Sequence, residues 1–161
     1  PLVAEDLGMI TPDVREIIAR FKLPGMKVLM FAFQEEDPNH PYLPHTYDEN
    51  CVAYTGTHDN NTTRGWFENE ALPDEKKRFF NYLGREVSVD EVHLAMIRLA
   101  TMSAARWVII PMQDVLGLGE EARMNTPSVP FGNWEWRLVS GQLTDNISET
   151  LLKITTESER I

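Results

Sequence analysis

The sequence predicts an α/β fold in which about four parallel strands alternate with helices, and three observations lead to it. Short apolar stretches recur at residues 2–4, 26–33, 51–55 and 106–111. Segments with helical periodicity follow them, an alternation that argues for parallel βα units. Polar, carboxylate-bearing residues lie just after strand ends, which is where barrel-type α/β folds carry their chemistry.

Taken in order, residues 2–4 form the first expected strand, ending in Glu5, Asp6 and Gly8. Thr11 before Pro12 marks an N-cap followed by the first helical position, so a helix is expected from about 12 to 22. Val14, Ile17, Ile18 and Phe21 lie at helical spacing and predict its inward face. Leu23-Pro24-Gly25 breaks the chain, and the run 26–33 is too continuously apolar for a half-exposed strand. It reads as a strand covered on both faces. Residues 34–50, punctuated by Pro38, Pro41 and Pro44, form a long loop of the kind that often carries function. The third strand, 51–55, runs into Gly56-Thr57-His58-Asp59-Asn60-Asn61. Two helices follow, at about 73–84, opening on Pro73, and at about 89–104, where Ser88 and Glu91 have capping-box spacing. After the fourth strand, 106–111, come a turn with Gly117 and Gly119, a Pro-containing loop at 127–132, the cluster Trp134-Glu135-Trp136 and a last helix from about 145 to 159. No internal repeat or second-domain boundary interrupts residues 1–161.

With 161 residues and 42% hydrophobic composition the chain can bury one core, yet it falls short of the roughly 250 residues of a complete (β/α)8 barrel. Its start at Pro1, without Met and directly on an apolar stretch, reads as a cut chain. The net charge of −10 repels phosphate backbones and anionic lipid, so neither nucleic acid nor membrane is an expected partner. The run 28–33 is far below the ~20 residues that span a bilayer, and no charged-then-apolar signal segment opens the chain. The lone cysteine, Cys51, has no partner for an intrachain disulfide and no neighbourhood of metal ligands. It is expected to be a buried structural thiol, and a reducing, cytoplasmic setting fits.

Glu5 and Asp59 each follow a separate strand, so in a parallel barrel both project onto one rim. Paired carboxylates are the equipment of glycoside chemistry: a protonated one assists the leaving oxygen and an ionised one meets oxocarbenium charge. Alone, each acid is more often a solvated group or a helix-cap neighbour. His58 can donate to a sugar hydroxyl, orient the adjacent acid, or simply bond to nearby backbone. Asn60, Asn61, Thr62 and Thr63 are turn and N-cap formers. Phe31, Tyr54, Trp66, Trp134 and Trp136 offer flat rings that suit the apolar faces of glucose units, although core packing is the commoner use of such rings.

At these motifs the sequence resembles the amylomaltase, or disproportionating-enzyme, family of 4-α-glucanotransferases. The resemblance is carried by Ala4-Glu5-Asp6-Leu7-Gly8, Leu23-Pro24-Gly25-Met26-Lys27-Val28-Leu29, Tyr54-Thr55-Gly56-Thr57-His58-Asp59-Asn60, Gln113-Asp114-Val115-Leu116, Ala122-Arg123-Met124-Asn125 and Gly132-Asn133-Trp134-Glu135-Trp136-Arg137. It implies that residues 1–161 are the C-terminal half of a TIM (β/α)8 barrel, roughly strands five to eight and the C-terminal helix. Glu5 then matches the general acid/base, Asp59 the carboxylate that stabilises the transition state, and His58 the histidine that binds the reacting sugar. Asn133 and Phe31 resemble positions near the substrate path. The family's nucleophilic aspartate belongs to a motif after the fourth strand, upstream of this sequence, so the missing N-terminal half is an implied partner and the chain alone is expected to be inactive. The implied reaction is a retaining double displacement that transfers α-1,4-glucan segments between maltooligosaccharides, with no metal or organic cofactor. An amylase-type α-glucan hydrolase or branching enzyme is the nearest alternative, disfavoured by the segment 132–137. A non-catalytic glucan-binding module is the alternative of a different class.

Overall fold

The computed structural model describes residues 2–160. Within it the chain forms an α/β unit on one parallel sheet of three strands, β1 (Gly25–Val28), β2 (Cys51–Tyr54) and β3 (Trp107–Ile109), in that spatial order. Gly25 faces Cys51 and Val28 faces Tyr54, while Val52 faces Trp107 and Tyr54 faces Ile109. Because all three run the same way, the loops after Val28, Tyr54 and Ile109 leave from the same edge.

The strand expected at residues 2–4 is absent. Ala4 N–H does reach the Pro24 carbonyl at 2.9 Å, as a parallel neighbour would. A parallel ladder then needs the Met26 amide to return to Ala4. That amide instead donates to Asp6 Oδ1 at 2.7 Å, so a side chain takes the place of the ladder bond. The second expected strand is also shorter than its apolar run. After Val28 the chain curls into a 3-10 turn at Leu29–Phe33, which buries Leu29, Met30, Ala32 and Phe33. Continuous burial is therefore achieved by turning into the core rather than by a longer strand. The open carbonyls at the end of this turn are satisfied by Arg78, from the helix Pro73–Leu83, whose Nε donates to Phe33 O at 2.7 Å and Nη2 to Gln34 O at 2.8 Å. The last strand spans three residues of the six expected, with Trp107 and Ile109 exposed.

The helices are α1 (Pro12–Arg20), α2 (Thr63–Gly65), α3 (Pro73–Leu83), α4 (Val92–Thr101), α5 (Met112–Val115) and α6 (Asp145–Glu157). Pro at the first position opens α1 and α3 as expected, since its missing N–H has no intrahelical acceptor there. The face predicted to point inward on α1 does not: none of its residues is buried, and Val14, Ile17 and Phe21 are exposed. The capping spacing before α4 is real, with Ser88 N and Oγ donating to Glu91 Oε2 at 3.0 and 2.9 Å, but regular helix begins only at Val92. A turn the sequence reading missed, α2, continues as a π-helix at Trp66–Glu70, closed by Ala71 N to Trp66 O at 2.7 Å.

The core is aromatic at its centre. Phe79, fully buried on α3, meets Phe33 at 5.0 Å, Trp66 at 6.1 Å and Phe67 at 6.5 Å between ring centroids. Trp66 is thus core rather than rim. Val28, Leu29, Met96 and Ala100 extend the same cluster under the sheet. Cys51 is buried as expected, its Sγ donates to Asp48 O at 3.0 Å, and burial pushes the thiol up to about 11. Among the described residues no helix is long and apolar enough to cross a membrane, and no group of three or more His, Cys, Asp or Glu converges as a metal would need.

Candidate active site

Above the shared edge of the sheet lies an open cleft of about 640 Å³, lined among others by Glu5, Phe31, Tyr54, His58, Asp59 and Ile109. Four of the five site residues expected from sequence meet here, delivered by three local devices. Asp6 turns inward to hold Met26 N–H, and the exposed side chain of Glu5 lines the cleft. Phe31 stands on the 3-10 turn after β1 and packs edge-on against Tyr42 at 5.4 Å. His58 and Asp59 ride the loop after β2.

That loop is braced by its own bonds. Gly56 sits close over the buried Met30: a Cβ there would come within 2.9 Å of Met30 Cε, so any larger residue would make the end of that side chain shift. Asn60 Oδ1 accepts from Thr57 N at 2.8 Å and Thr57 Oγ1 at 2.9 Å, closing the turn that presents His58 and Asp59. Thr62 Oγ1 accepts from Gly65 N at 2.9 Å and caps α2. His58 Nε2 lies 3.3 Å from Asp59 Oδ1, and both side chains are about half exposed, so each can reach a ligand in the cleft.

Behind the loop is Asp114 on α5, almost wholly buried. Its Oδ2 accepts from Thr55 Oγ1 at 2.6 Å, and its Oδ1 accepts from Thr63 N at 2.7 Å and Thr63 Oγ1 at 3.0 Å. One carboxyl group thereby ties both ends of the His58–Asp59 loop to the element after β3. Burial raises the Asp114 pKa above the ordinary carboxylate range, against the lowering effect of the three hydrogen bonds. An acid with a raised folded pKa contributes stability that is present below its unfolded pKa and lost as pH rises through the folded one. Asp114→Ala, which strands a buried Thr63 N–H, is expected to cost about 1–3 kcal/mol in urea denaturation of the protein. Asp114→Asn, which keeps an acceptor for Thr63, is expected to cost less, and its stability relative to the parent should improve as pH rises above the carboxylate range.

From the far side the chain 119–134 folds back over the site. Arg123 Nη2 donates to Asp59 O at 2.9 Å, its Nη1 meets Glu70 Oε1 at 2.9 Å, and its Nε holds Asn125 O at 2.9 Å. Asn125 Nδ2 donates to Asp59 Oδ1 at 2.6 Å. Trp134 packs against the His58 imidazole with ring centroids 5.0 Å apart, in a left-handed conformation (φ 65°) held by its N–H to Met124 O at 2.7 Å. His58 and Trp134 also line a second, smaller cavity of about 210 Å³ with Arg123 and Asp114.

Asn133, the fifth expected residue, is not in the lining of the large cleft. Its Oδ1 accepts from Thr126 N at 2.8 Å and its Nδ2 donates to Val129 O at 2.7 Å, so the amide closes its own loop and sets where Trp134 stands. Sequence reasoning passed over Arg123, Asn125 and Asp114 as individual site residues. Their partners lie 51 to 66 residues away, and no local pattern announces such pairs.

Against known proteins, a family model described as 4-alpha-glucanotransferase matches residues 1–143. Among curated relatives, the 4-alpha-glucanotransferase of Aquifex aeolicus is 51% identical over 138 residues, covering 86% of this chain and 28% of the relative. That of Synechocystis is 50% identical over 156 residues, covering 96% and 30%, and that of Thermus thermophilus 47% over 169 residues, covering 100% and 33%. The chain therefore spans about a third or less of the length of the relatives it matches. Among solved structures, the amylomaltase from Streptococcus agalactiae in complex with acarbose superposes with a TM-score of 0.91 at 36% identity, over 99% of this chain and 32% of that one. Amylomaltase from Corynebacterium glutamicum, at 17% identity and TM-score 0.68, over 98% of this chain and 28% of that one, shares the fold.

Proposed function

Because this chain belongs to the 4-alpha-glucanotransferase family, we propose that it is the acid/base-bearing part of such an enzyme, whose whole polypeptide transfers α-1,4-glucan segments between maltooligosaccharides. The single observation that carries the reading is the cleft in which Glu5, Phe31, His58 and Asp59 converge. Its volume and lining suit glucose units, with Phe31 against an apolar sugar face and His58 as a hydrogen-bonding group for a hydroxyl.

In the proposed reaction an aspartate elsewhere in the longer polypeptide attacks the anomeric carbon, and Glu5 gives its proton to the departing glycosidic oxygen. Asp59 faces the positive charge that develops on the sugar ring. Glu5, now ionised, takes the proton of an acceptor 4-hydroxyl, whose oxygen displaces the aspartate and restores the retained α-linkage. Transfer outruns hydrolysis when the acceptor is already positioned and water is held off. Asn133 contributes through the loop it closes, by setting Trp134 beside His58.

The architecture proposed for the parent is a (β/α)8 barrel of which residues 1–161 are the C-terminal half. Support comes from the parallel sheet, in which β1 and β3 each pair on one side only among the described residues, and from the exposed apolar face of α1. The remainder of the polypeptide would pair with those edges and cover that face. The reading also places the enzyme in a reducing, cytoplasmic compartment, in keeping with a lone buried thiol. Incubating the full-length enzyme with maltotriose is expected to release glucose and build longer oligomers. Finding neither product overturns the proposed activity.

A further inference from the structure

Asp59 sits on a half-exposed loop tip, where a carboxylate free to rotate would present its charge to the cleft only part of the time. Its Oδ1 accepts from Asn125 Nδ2 at 2.6 Å, with His58 Nε2 3.3 Å away. Its backbone carbonyl is held by Arg123 Nη2 at 2.9 Å. Arg123 is itself largely buried and locked by Glu70 and by the Asn125 carbonyl, so the amide donor that fixes the carboxylate and the cation that fixes the backbone come from one braced segment.

An asparagine that merely shapes a loop bonds to that loop, as Asn133 does with Thr126 and Val129. Asn125 does otherwise: its Nδ2 reaches a carboxylate 66 residues away. That bond opposes rotation of the carboxylate about χ2 and favours Oδ2 as the oxygen presented to a ligand.

Resting on the reading above, we propose that Asn125 is a positioning residue for this enzyme, acting through Asp59 by locking its carboxylate orientation. An amide suits the task. It donates without adding a charge beside a group whose negative charge is the working element, whereas a lysine there would partly neutralise it.

The test uses the full-length enzyme with Asn125→Ala and Asn125→Asp, after thermal unfolding has shown both to be folded. Asn125→Ala is expected to lower kcat for maltotriose disproportionation by about 100-fold, the scale set by a misplaced catalytic group, with KM within about threefold. Asn125→Asp brings a second carboxyl onto Asp59, beside His58 and with Arg123 on the backbone and Glu70 paired to it. Two carboxylates in contact cannot both ionise at their ordinary pKa, so one proton is shared. This variant is expected to outperform Asn125→Ala at acid pH and to lose that advantage as pH rises and the shared proton leaves. A purely structural role leaves the pH profile of the two variants parallel. The crystal structure of Asn125→Ala supplies a readout independent of activity, with the Asp59 carboxylate expected in a rotated or multiple orientation. An unmoved Asp59 in that structure, or wild-type kcat in Asn125→Ala, overturns the proposal. An unmutated enzyme inert toward maltotriose overturns the functional reading instead, while the structure of the variant still decides the positioning.

Discussion

Glu5→Gln in the full-length enzyme is expected to lower transfer from natural maltodextrins by about 10²- to 10⁴-fold, the range that a positioned general acid or base contributes. The change is nearly isosteric, and Glu5 is an exposed side chain at the cleft, so folding should be indifferent to it. The structural load in this segment falls on its neighbour, because Asp6 is the residue that holds Met26 N–H. A glucosyl donor whose leaving group departs without protonation, such as α-glucosyl fluoride, bypasses the acid in the first step. Formation of the covalent intermediate from that donor should therefore survive in the variant, while its discharge to an acceptor slows for want of a base. Pre-steady-state comparison of the two donor types checks this, and an equal loss of intermediate formation from both would remove the acid/base role from Glu5.

Asp59→Asn is expected to cut turnover by about 10²- to 10³-fold, close to 3–4 kcal/mol of transition-state stabilisation, and to leave glucan binding nearly unchanged. The substitution preserves shape and an oxygen that can still accept from Asn125, so the loop around it should persist. What disappears is the negative charge, which matters chiefly when positive charge grows on the sugar. Calorimetric binding of a maltodextrin beside steady-state kinetics separates the two effects. Weakened binding at unaltered turnover would make Asp59 a ground-state contact instead.

Much of the fold was legible because it depends on near neighbours. Pro12 and Pro73 mark helix starts by backbone chemistry alone, Ser88 and Glu91 bond as their spacing says, and the runs at 26–28, 51–54 and 107–109 are strands. The errors share one cause. Residues 2–4 look like a strand by composition, but Asp6 diverts the amide that would complete the ladder. Residues 29–33 look like more strand, but burial of Phe33 against Phe79 on α3 favours a turn. The amphipathic pattern of α1 correctly marks an apolar face, yet among the described residues nothing buries it.

The candidate site divides in the same way. Sequence by itself determined that His58-Asp59 follow a strand, β2, because strand and turn signals are local, and it picked out Glu5 although residues 2–4 before it form no strand. Only the tertiary structure decided that Asp59 is held by Asn125 and Arg123, that Asp114 braces the loop from behind through Thr55 and Thr63, and that Asn133 serves its own loop rather than the large cleft. A hydrogen bond between residues 66 apart leaves no periodicity in either segment, since its geometry exists only once the chain has folded back on itself.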